Sequence, residues 1–402
     1  MGERNKKILL EQLQIGKNKY CADCNAPDPE WASSNVGVFV CVNCSGIHRM
    51  LGTHISRVKS CKLDQWDDDS VAFMCERGNE VVNDELEKYL PVYYHKPVSS
   101  DPQVYKEQFI QSKYNRKEFK QPGGPAHYEK GRLVGNLHKR GKEDKQYRVR
   151  KFVLDANEGT LKYYIKQEAK EPKQSIPLTT LHATLSPEII DHPNGLQLSF
   201  LVNGVTRHIY LYADNGKEAV DWYITIRATV YSNLKEQYSE LSNEEIIKRM
   251  ARNQQKQGWM SKTGPKKTEP YRKRWFVLDD RRLLYFTQPL EAYPKGAIYL
   301  GNRQDGYIVR DGLPAGQQES GYGITVTTPE RDFLLLCEDQ EEQRSWIAEI
   351  KNVLTRPLSE QDNKDLINHK QTYEKRRKSV ARLASTSLSA VVPTSPKQKQ
   401  HF

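Results

Sequence analysis

Two segments of the chain repeat each other at an interval of 123 to 124 residues. The run Tyr-Arg-Val-Arg-Lys-Phe-Val-Leu-Asp that begins at Tyr147 returns at Tyr271 as Tyr-Arg-Lys-Arg-Trp-Phe-Val-Leu-Asp, and the later Trp222 returns as Trp346. Solenoid repeats are about 20 to 50 residues long, so an interval of this length indicates two copies of a whole domain.

Each copy combines strand-like and helix-like segments. In the first copy, short β-rich runs are separated by turns that contain Gly, Asn, Asp or Pro. The end of each copy carries apolar residues at helical spacing, around Trp222 and Trp346. We therefore expect each copy to be a small antiparallel barrel or sandwich that a helix closes at one end. The strand-like runs of the first copy are Lys151–Leu154, Leu161–Ile165, Leu196–Val202 and His208–Tyr212.

Capping signals and composition divide the rest of the chain. Ser242 and Glu245 form a capping-box pattern, which predicts a short linking helix up to about Gln257. The stretch 120–126 lacks an apolar period and marks a boundary. Beyond Pro357 the chain becomes polar and rich in Ser, Thr, Pro and Gln, which predicts a basic, disordered tail. The predicted regions are 1–125, 129–232, 233–255, 256–356 and 357–402.

Positive charge is concentrated in the repeats and the tail. The net charge is zero for residues 1–125, +6 for 126–356 and +5 for 357–402. Two stretches of 13 residues, Lys139–Lys151 and Lys262–Arg274, each carry +5. Such stretches attract phosphates of nucleic acids, lipid head groups or inositol phosphates, and charge alone does not choose among these.

Hydrophobicity argues against a membrane-spanning or secreted chain. No apolar run approaches the roughly 18 to 20 residues that cross a bilayer. The N-terminal run also never develops the apolar stretch of a signal peptide. We therefore expect a cytoplasmic protein.

Four cysteines near the N-terminus have the spacing of a zinc site. Two Cys-x-x-Cys pairs are separated by sixteen residues, within the usual range for four-thiolate zinc. Four thiolates fill the tetrahedral shell and leave no position for water or substrate, so a single Zn²⁺ here would be structural. The predicted ligands are Cys21, Cys24, Cys41 and Cys44. The isolated Cys61, Cys75 and Cys337 are expected to be small buried apolar residues.

An arginine follows the second cysteine pair closely. Arg49 lies five residues after Cys44, so a rigid metal site would make a platform for one projecting guanidinium. His48 and His54 could serve as spare metal ligands, but four sulfurs already suffice, and we expect both histidines to be structural or on the surface.

These motifs together resemble a known catalytic domain. The cysteine spacing, the run Trp31-Ala-Ser, the run Cys-Ser-Gly-Ile-His-Arg49-x-Leu-Gly and a third run from Val58 to Trp66 resemble the catalytic domain of Arf GTPase-activating proteins over residues 5 to about 125. The resemblance implies that Arg49 is an arginine finger, which enters the nucleotide site of GTP-bound Arf and stabilises charge on the γ-phosphate. It also makes Trp31 and Ile47 candidates for the Arf-facing surface, although both could belong to the core.

The basic strands of the repeats predict two phosphate sites. In a hairpin, Lys139 near the end of one strand and Arg148 and Arg150 near the start of the next would face the same side. Such a mouth could grip the phosphates of an inositol ring, with arginine bidentate and lysine as a point charge. The hydroxyl of Tyr163 could add a contact. The matching residues of the second copy are Lys262, Arg272, Arg274 and Tyr285.

The two copies resemble pleckstrin homology (PH) domains. Their basic signature is similar to that of the PH domains that bind 3-phosphorylated phosphoinositides. Glu143 and Asp144 in the first loop would repel phosphate, whereas Lys266 and Lys267 make the second loop more basic. The order of one Arf GAP domain and two PH domains resembles the centaurin-alpha group, the Arf GAPs with dual PH domains.

The sequence thus predicts a multidomain α+β protein that activates GTP hydrolysis by Arf and has no hydrolytic chemistry of its own. Phosphoinositides, with phosphatidylinositol 3,4,5-trisphosphate as the expected one, would recruit it to the plasma membrane, and soluble inositol phosphates could compete. An adaptor that binds phosphoinositides or inositol phosphates with little or no GAP activity is the alternative. Nucleic acid is not an expected partner, because the aromatic residues lie in strand and core contexts. Ser379, after Arg376-Arg-Lys, is a candidate phosphorylation site in the tail.

Overall fold

The fold is described from a computed structural model. It describes residues 2–123, 126–251, 255–264, 269–317, 321–360 and 362–371, so the candidate phosphosite Ser379 and the loop lysines 266 and 267 lie outside the described residues. The chain divides into two compact units. The first consists of Met1–Asn253 with Pro289–Pro294, and the second of Gln254–Gln288 with Lys295–Phe402.

The N-terminal part of the first unit, here the cysteine domain (residues 2–123), surrounds a small antiparallel sheet with helices. The sheet has the order β2-β1-β3, and Trp31 at its centre pairs with Val40 on one side and Ser60 on the other. Asp67 begins α3 because its side chain accepts a hydrogen bond from the Ser70 amide. The strands are β1 (Trp31–Ser33), β2 (Val38–Val40) and β3 (Val58–Ser60), and the helices are α1 (Gly2–Gln12), α2 (Val42–Met50), α3 (Asp68–Glu76), α4 (Gly78–Leu86) and α5 (Gln103–Ile110).

The first repeat forms a seven-stranded antiparallel sheet, with the order β7-β6-β5-β4-β10-β9-β8 over its described strands. Asn215 caps the closing helix by accepting from the Glu218 amide, and the buried Trp222 of that helix packs edge-on against Phe152. The elements are β4 (Arg132–Arg140), β5 (Tyr147–Asp155), β6 (Thr160–Tyr164), β7 (Gln174–Pro177), β8 (His182–Leu185), α6 (Pro187–Ile190), β9 (Gly195–Val202), β10 (Val205–Tyr212) and α7 (Gly216–Gln237).

The second repeat has the same topology, which confirms the prediction of two copies of one domain. Its described strands follow the order β14-β13-β12-β11-β17-β16-β15. Asp339 caps its closing helix as Asn215 does in the first copy, and Trp346 is fully buried. The elements are β11 (Lys256–Lys262), β12 (Arg272–Asp279), β13 (Arg282–Phe286), β14 (Gly296–Tyr299), β15 (Ile308–Asp311), β16 (Tyr322–Thr327), β17 (Asp332–Cys337) and α9 (Gln340–Thr355).

The linking helix and the end of the second repeat differ from expectation. Both hydrogen bonds of the predicted capping box are present at α8 (Asn243–Met250), but the helix stops before Gln257, and α7 extends into the predicted linker. The prediction of a disordered tail from residue 357 is wrong for residues 362–371, which are helical. Buried Asp362 lies 3.3 Å from the Arg281 guanidinium, and Leu366 joins the second repeat's core.

The cysteine domain and the first repeat share one hydrophobic core. Helix α5 packs on α7, where the Tyr105 ring meets the Tyr223 ring edge-on with their centroids 5.7 Å apart. Arg227 of α7 donates from Nε to the carbonyl of Tyr93 at 3.0 Å. A Cβ at Gly216, the first residue of α7, would lie 2.9 Å from a methyl carbon of Val104, so the two helices approach too closely there for a side chain. The two domains are therefore parts of one packed body.

Replacing Tyr105 with alanine is expected to loosen both domains together. The substitution removes a ring that is 1% exposed, which costs about 3 to 5 kcal/mol of unfolding free energy for a large buried aromatic. Amide hydrogen exchange of the full chain should rise in α5 and in α7. Exposed Val149→Ala serves as the control and should change neither helix. An increase confined to α5 would contradict a shared core.

Candidate functional site

The four predicted zinc ligands lie together beside the start of α2. Their sulfur atoms all lie within 4.8 Å of one another, and the sulfurs of Cys24 and Cys41 are 3.6 Å apart. Zn–S bonds of about 2.3 Å give a tetrahedron whose edges are about 3.8 Å, so the spacing fits one zinc ion. Asn25 takes a left-handed conformation (φ 55°), which turns the chain after the first pair. Four cysteines around one ion fit a structural zinc site.

A buried ionic network lies against this cluster. The Asp23 carboxylate accepts from Lys113 Nζ at 3.0 Å, from the Tyr114 hydroxyl at 2.7 Å and pairs with His48 Nε2 at 2.9 Å. Burial alone would raise the pKa of Asp23, but the Lys113 ammonium and His48 lower it well below its usual range. Burial likewise opposes the charge of Lys113, yet Asp23 and Glu87 raise its pKa overall. His48 is therefore a structural histidine that ties α2 to the cysteine loop.

Arg49 projects from the last turn of α2 into solvent. Its guanidinium carbon lies 4.5 Å from the centroid of the Trp31 ring, and Arg49 forms no salt bridge with any described acid. A cation–π contact at an exposed site contributes only about 0.5 to 1 kcal/mol. The side chain is thus held in place without a counter-ion and can turn to an anion at little cost.

The two partner-facing candidates differ in exposure. Trp31 is half-buried beneath Arg49, at the edge of the exposed surface. Ile47 is 1% exposed and belongs to the core, so the core position that the sequence left open holds and its candidacy for a partner-facing surface is wrong. The helical period explains this, because Ile47 shares the inner face of α2 with Cys44 and Leu51.

The first repeat brings its predicted phosphate-binding residues together at one rim of its sheet. These residues are here called the cup of the first repeat: Lys139, Arg148, Arg150 and Tyr163. Lys139 is the direct cross-strand partner of Arg148, and its ammonium lies 5.2 Å from the centroid of the Tyr163 ring. Arg150 Nη1 donates to the Val149 carbonyl at 2.8 Å. Exposed Arg148 makes an ion pair with Asp144, one of the loop acids expected to oppose phosphate.

The second repeat reproduces this arrangement. Lys262 is opposite Arg272, and its ammonium lies 4.8 Å from the centroid of the Tyr285 ring. Arg274 Nη1 donates to the Lys273 carbonyl at 2.9 Å, as Arg150 does to its neighbour. Both repeats thus place a lysine, two arginines and a tyrosine at equivalent positions of the same fold.

Each cup contains one further arginine that the sequence analysis missed. In the first cup this arginine is Arg207. The pKa of Lys139 is lowered to about 8, mainly by burial and then by the positive charges of Arg207 and Arg150, while the negative charge of Asp144 raises it. In the second cup it is Arg331. The pKa of Lys262 is lowered to about 8, mainly by burial and then by the positive charges of Arg331 and Arg274, while the negative charge of Glu269 raises it.

The repeat interval could have revealed both arginines, because Arg207 and Arg331 are 124 residues apart, as Tyr147 and Tyr271 are. Clusters of like charge destabilise the free protein and suit a polyanionic ligand that would relieve the repulsion.

Comparison with known proteins agrees with this architecture. Residues 6–123 match the family described as putative GTPase-activating protein for Arf, and residues 132–231 and 254–355 each match the PH domain. The chain is 46% identical over 363 residues to rat Arf-GAP with dual PH domain-containing protein 2, covering 89% of this chain and 96% of that protein. The human protein of the same name is 45% identical over 363 residues, covering 89% and 95%.

Another relative shares the N-terminal part alone. The Arabidopsis thaliana ADP-ribosylation factor GTPase-activating protein AGD12 is 45% identical over 122 residues, covering 30% of this chain and 35% of that protein. The chain belongs to the Arf GTPase-activating proteins with dual PH domains. None of the described helices is long and apolar enough to cross a membrane.

The cysteine cluster predicts one zinc ion per chain. Cys24→Ala should remove the metal and unfold the cysteine domain, because a structural zinc contributes folding free energy directly. Elemental analysis of the purified chain gives the zinc content. Cys75→Ala is the matched control, since Cys75 lies outside the cluster and is exposed, not buried as the sequence predicted, and its loss should leave one zinc. Full zinc content in the Cys24 variant would show that a different ligand set holds the ion.

Proposed function

We propose that this Arf GTPase-activating protein acts on GTP-bound Arf at the plasma membrane, to which phosphoinositides recruit it from the cytoplasm, with phosphatidylinositol 3,4,5-trisphosphate as the preferred lipid. The observation that carries the proposal is the exposed Arg49, which projects beside the cysteine cluster with no counter-ion among the described residues. An exposed arginine that has no counter-ion in its own chain is available to bind an anion on another molecule.

In this proposal Arg49 is the only group that the chain contributes to the reaction. Its planar guanidinium spans two oxygens at once, so it stabilises the charge that develops on the γ-phosphate oxygens and on the leaving group. Arf supplies the nucleotide, Mg²⁺ and the residue that positions the attacking water. Arginine fingers of this kind raise hydrolysis rates by roughly 10³ to 10⁵. Zinc holds α2 in place and takes no part in the chemistry.

The two cups supply recruitment. Lys139, Arg150 and Arg207 in the first copy, with their counterparts in the second, offer three cations to an inositol ring that carries several phosphates. Binding to the membrane that holds Arf raises the effective concentration of enzyme and substrate, so the lipid accelerates hydrolysis without changing the active site. Soluble inositol phosphates carry the same head-group chemistry and would compete.

Arg49→Lys is expected to abolish GTP hydrolysis on Arf while it preserves lipid binding. Lysine keeps the charge but lacks the bidentate fork, so the rate should fall by roughly 10³ or more. Single-turnover hydrolysis on membrane-bound Arf, with and without phosphatidylinositol 3,4,5-trisphosphate, measures the effect. Arg4→Lys on α1 is a control that should keep full activity.

Two outcomes separate the proposal from its alternative. Hydrolysis that the lipid stimulates in the native chain, and that is lost with Arg49→Lys, supports the finger and the recruitment together. No hydrolysis on any Arf or lipid, with lipid binding retained, would make the chain an adaptor.

Lipid binding is expected to weaken as the pH rises above about 8. Bound phosphates favour protonated Lys139 and Lys262, whose pKa in the free protein is about 8, so each lysine takes up a proton on binding at higher pH. Phosphate groups titrate near pH 6 and are fully ionised in this range. Burial raises the pKa of Tyr163 above its usual value, so its hydroxyl stays neutral.

Vesicle sedimentation between pH 7 and 9.5 measures this dependence. The double variant Lys139→Arg, Lys262→Arg should bind with little change over that range, because arginine does not titrate there. Lys162→Arg, outside the cup residues of the same repeat, should retain the native pH profile. A native profile that is flat to pH 9.5 would exclude these lysines as phosphate ligands.

A further inference from the structure

One edge of strand β10 is only partly covered by its neighbour in the sheet. β10 pairs with β9 along its whole length, from Val205 to Tyr212, whereas its described pairing with β4 is confined to Leu211 and Tyr212. The main-chain groups of the earlier residues of β10 that face β4 therefore need other partners. A strand edge of this kind can accept a further segment of chain through main-chain hydrogen bonds.

The segment Pro289–Pro294, here called the edge segment, lies along this edge and belongs to the same compact unit. Three successive carbonyls of the edge segment each accept one hydrogen bond from the first repeat. A proline at each end restricts φ and so limits the conformations of the segment. The three bonds, from donor to acceptor, are His208 N to Ala292 O (2.9 Å), Arg140 Nη1 to Leu290 O (3.0 Å) and Tyr210 Oη to Glu291 O (3.3 Å).

The edge segment places the side chain of Tyr293 at the first cup. The centroid of the Tyr293 ring lies 5.6 Å from the guanidinium carbon of Arg207 and 5.3 Å from Nζ of Lys142. Arg207 belongs to the cup, because its charge is the one that most lowers the pKa of Lys139. Tyr293 lies far beyond the first repeat in the sequence, so no motif of that repeat includes it.

The described contacts of Arg207 are with neutral groups. Its Nη1 donates to the amide oxygen of Gln174 at 2.6 Å, and its guanidinium carbon lies 5.8 Å from the centroid of the Phe200 ring, in addition to the Tyr293 contact. An aromatic ring attracts a cation through its quadrupole and adds no negative charge to the site. Arg148 is the contrast within the same cup, since its ion pair with Asp144 opposes the binding of a phosphate. A ring therefore orients Arg207 and keeps its charge available to an anion.

We propose that Tyr293 is a positioning residue of the first cup, which holds Arg207 and Lys142 toward the phosphates of a bound inositol ring. The inference rests on the proposed recruitment by phosphoinositides and adds a residue to that same site. The ligand is an inositol ring that carries several phosphates, as the head group of a membrane lipid or as a soluble inositol phosphate. Tyr293 acts on this ligand through the two cations.

The test measures the first cup in the full chain, in a background that carries Lys262→Ala and Arg274→Ala to disable the second cup. Tyr293→Phe keeps the ring and should bind within about twofold of the background chain. Tyr293→Leu keeps apolar bulk without the quadrupole and should bind about fivefold more weakly or less, because it loses two cation–π contacts, each equivalent to about two- to fivefold. Tyr293→Ala should lose at least as much as the leucine variant.

Two probes distinguish the two sources of the ligand. Calorimetry with inositol 1,3,4,5-tetrakisphosphate measures the soluble head group, and sedimentation with vesicles that contain phosphatidylinositol 3,4,5-trisphosphate measures the lipid. Tyr89→Leu is the matched control, because Tyr89 is an exposed tyrosine of the cysteine domain with Lys88 Nζ 5.5 Å from its ring centroid. This control should bind both probes as the background chain does.

A double-mutant cycle with Arg207 separates a positioning role from a merely structural one. When Arg207→Ala is also present, Tyr293→Leu should weaken binding by no more than about twofold, because the main cation that the ring holds is absent. The melting temperature of each variant is measured in parallel. An equal loss with and without Arg207 would overturn the inference, and so would unchanged affinity in Tyr293→Leu or a loss in Tyr293→Phe as large as that in Tyr293→Leu.

The outcomes also separate this inference from the proposed function. A background chain that binds neither probe contradicts recruitment through the first cup, and the positioning role fails with it. If the background chain binds both probes and the Tyr293 series is flat, recruitment stands and the inference alone is overturned. A loss in the soluble arm supports the positioning role, and a loss confined to the vesicle arm would instead assign Tyr293 to a contact with the membrane surface and overturn it.

Discussion

The ion pair between Lys113 and Asp23 connects the parts of the molecule on which Arg49 depends. Lys113 is fully buried and also contacts the Asn83 amide oxygen at 2.7 Å, so α4, the first cysteine pair and the turn after α5 meet at one ammonium group. His48 pairs with the other carboxylate oxygen and fixes α2 from beneath. Removing one partner of such a buried pair leaves an uncompensated charge and costs about 3 to 5 kcal/mol. The direction of Arg49 is thus set by metal ligands on one side and by this network on the other.

Sequence patterns could predict the metal site, because the spacing of its ligands is set by local geometry. Cysteine pairs form their turns within four residues, and Arg49 follows from the same short segment. Lys113 could not be predicted in this way, since it stands among polar residues and its burial results only from packing. Ile47 is an intermediate case: the family resemblance made it a candidate for the partner-facing surface and left a core position open, and the helical period of α2 places it inside. Local periodicity was the better guide here because burial is decided by the face of the helix.

The two basic cups show a different limit on prediction from sequence. Lys139 and Arg150 come from one hairpin, and their meeting is a matter of cross-strand register. Arg207 comes from a strand far along the chain, and it reaches the same cup because β10 pairs with β4 in the sheet. The sheet topology brings these segments together. In the sequence, the repeat interval is the feature that could have indicated that Arg207 and Arg331 are equivalent. Arg331 holds the equivalent position in the second copy, so chance is an unsatisfactory explanation of the cluster, since like charges near the cup lysine oppose the stability of both copies.

The shared core of the cysteine domain and the first PH domain constrains how recruitment and catalysis can be combined. Effective concentration at a surface increases a rate only when the geometry allows both contacts at once. A flexible tether would meet this condition by sampling many orientations, but α5 and α7 are packed through Tyr105 and Tyr223 and leave no such freedom within this unit. Lipid bound in the first cup, as proposed above, would therefore also set the orientation of α2 toward the membrane.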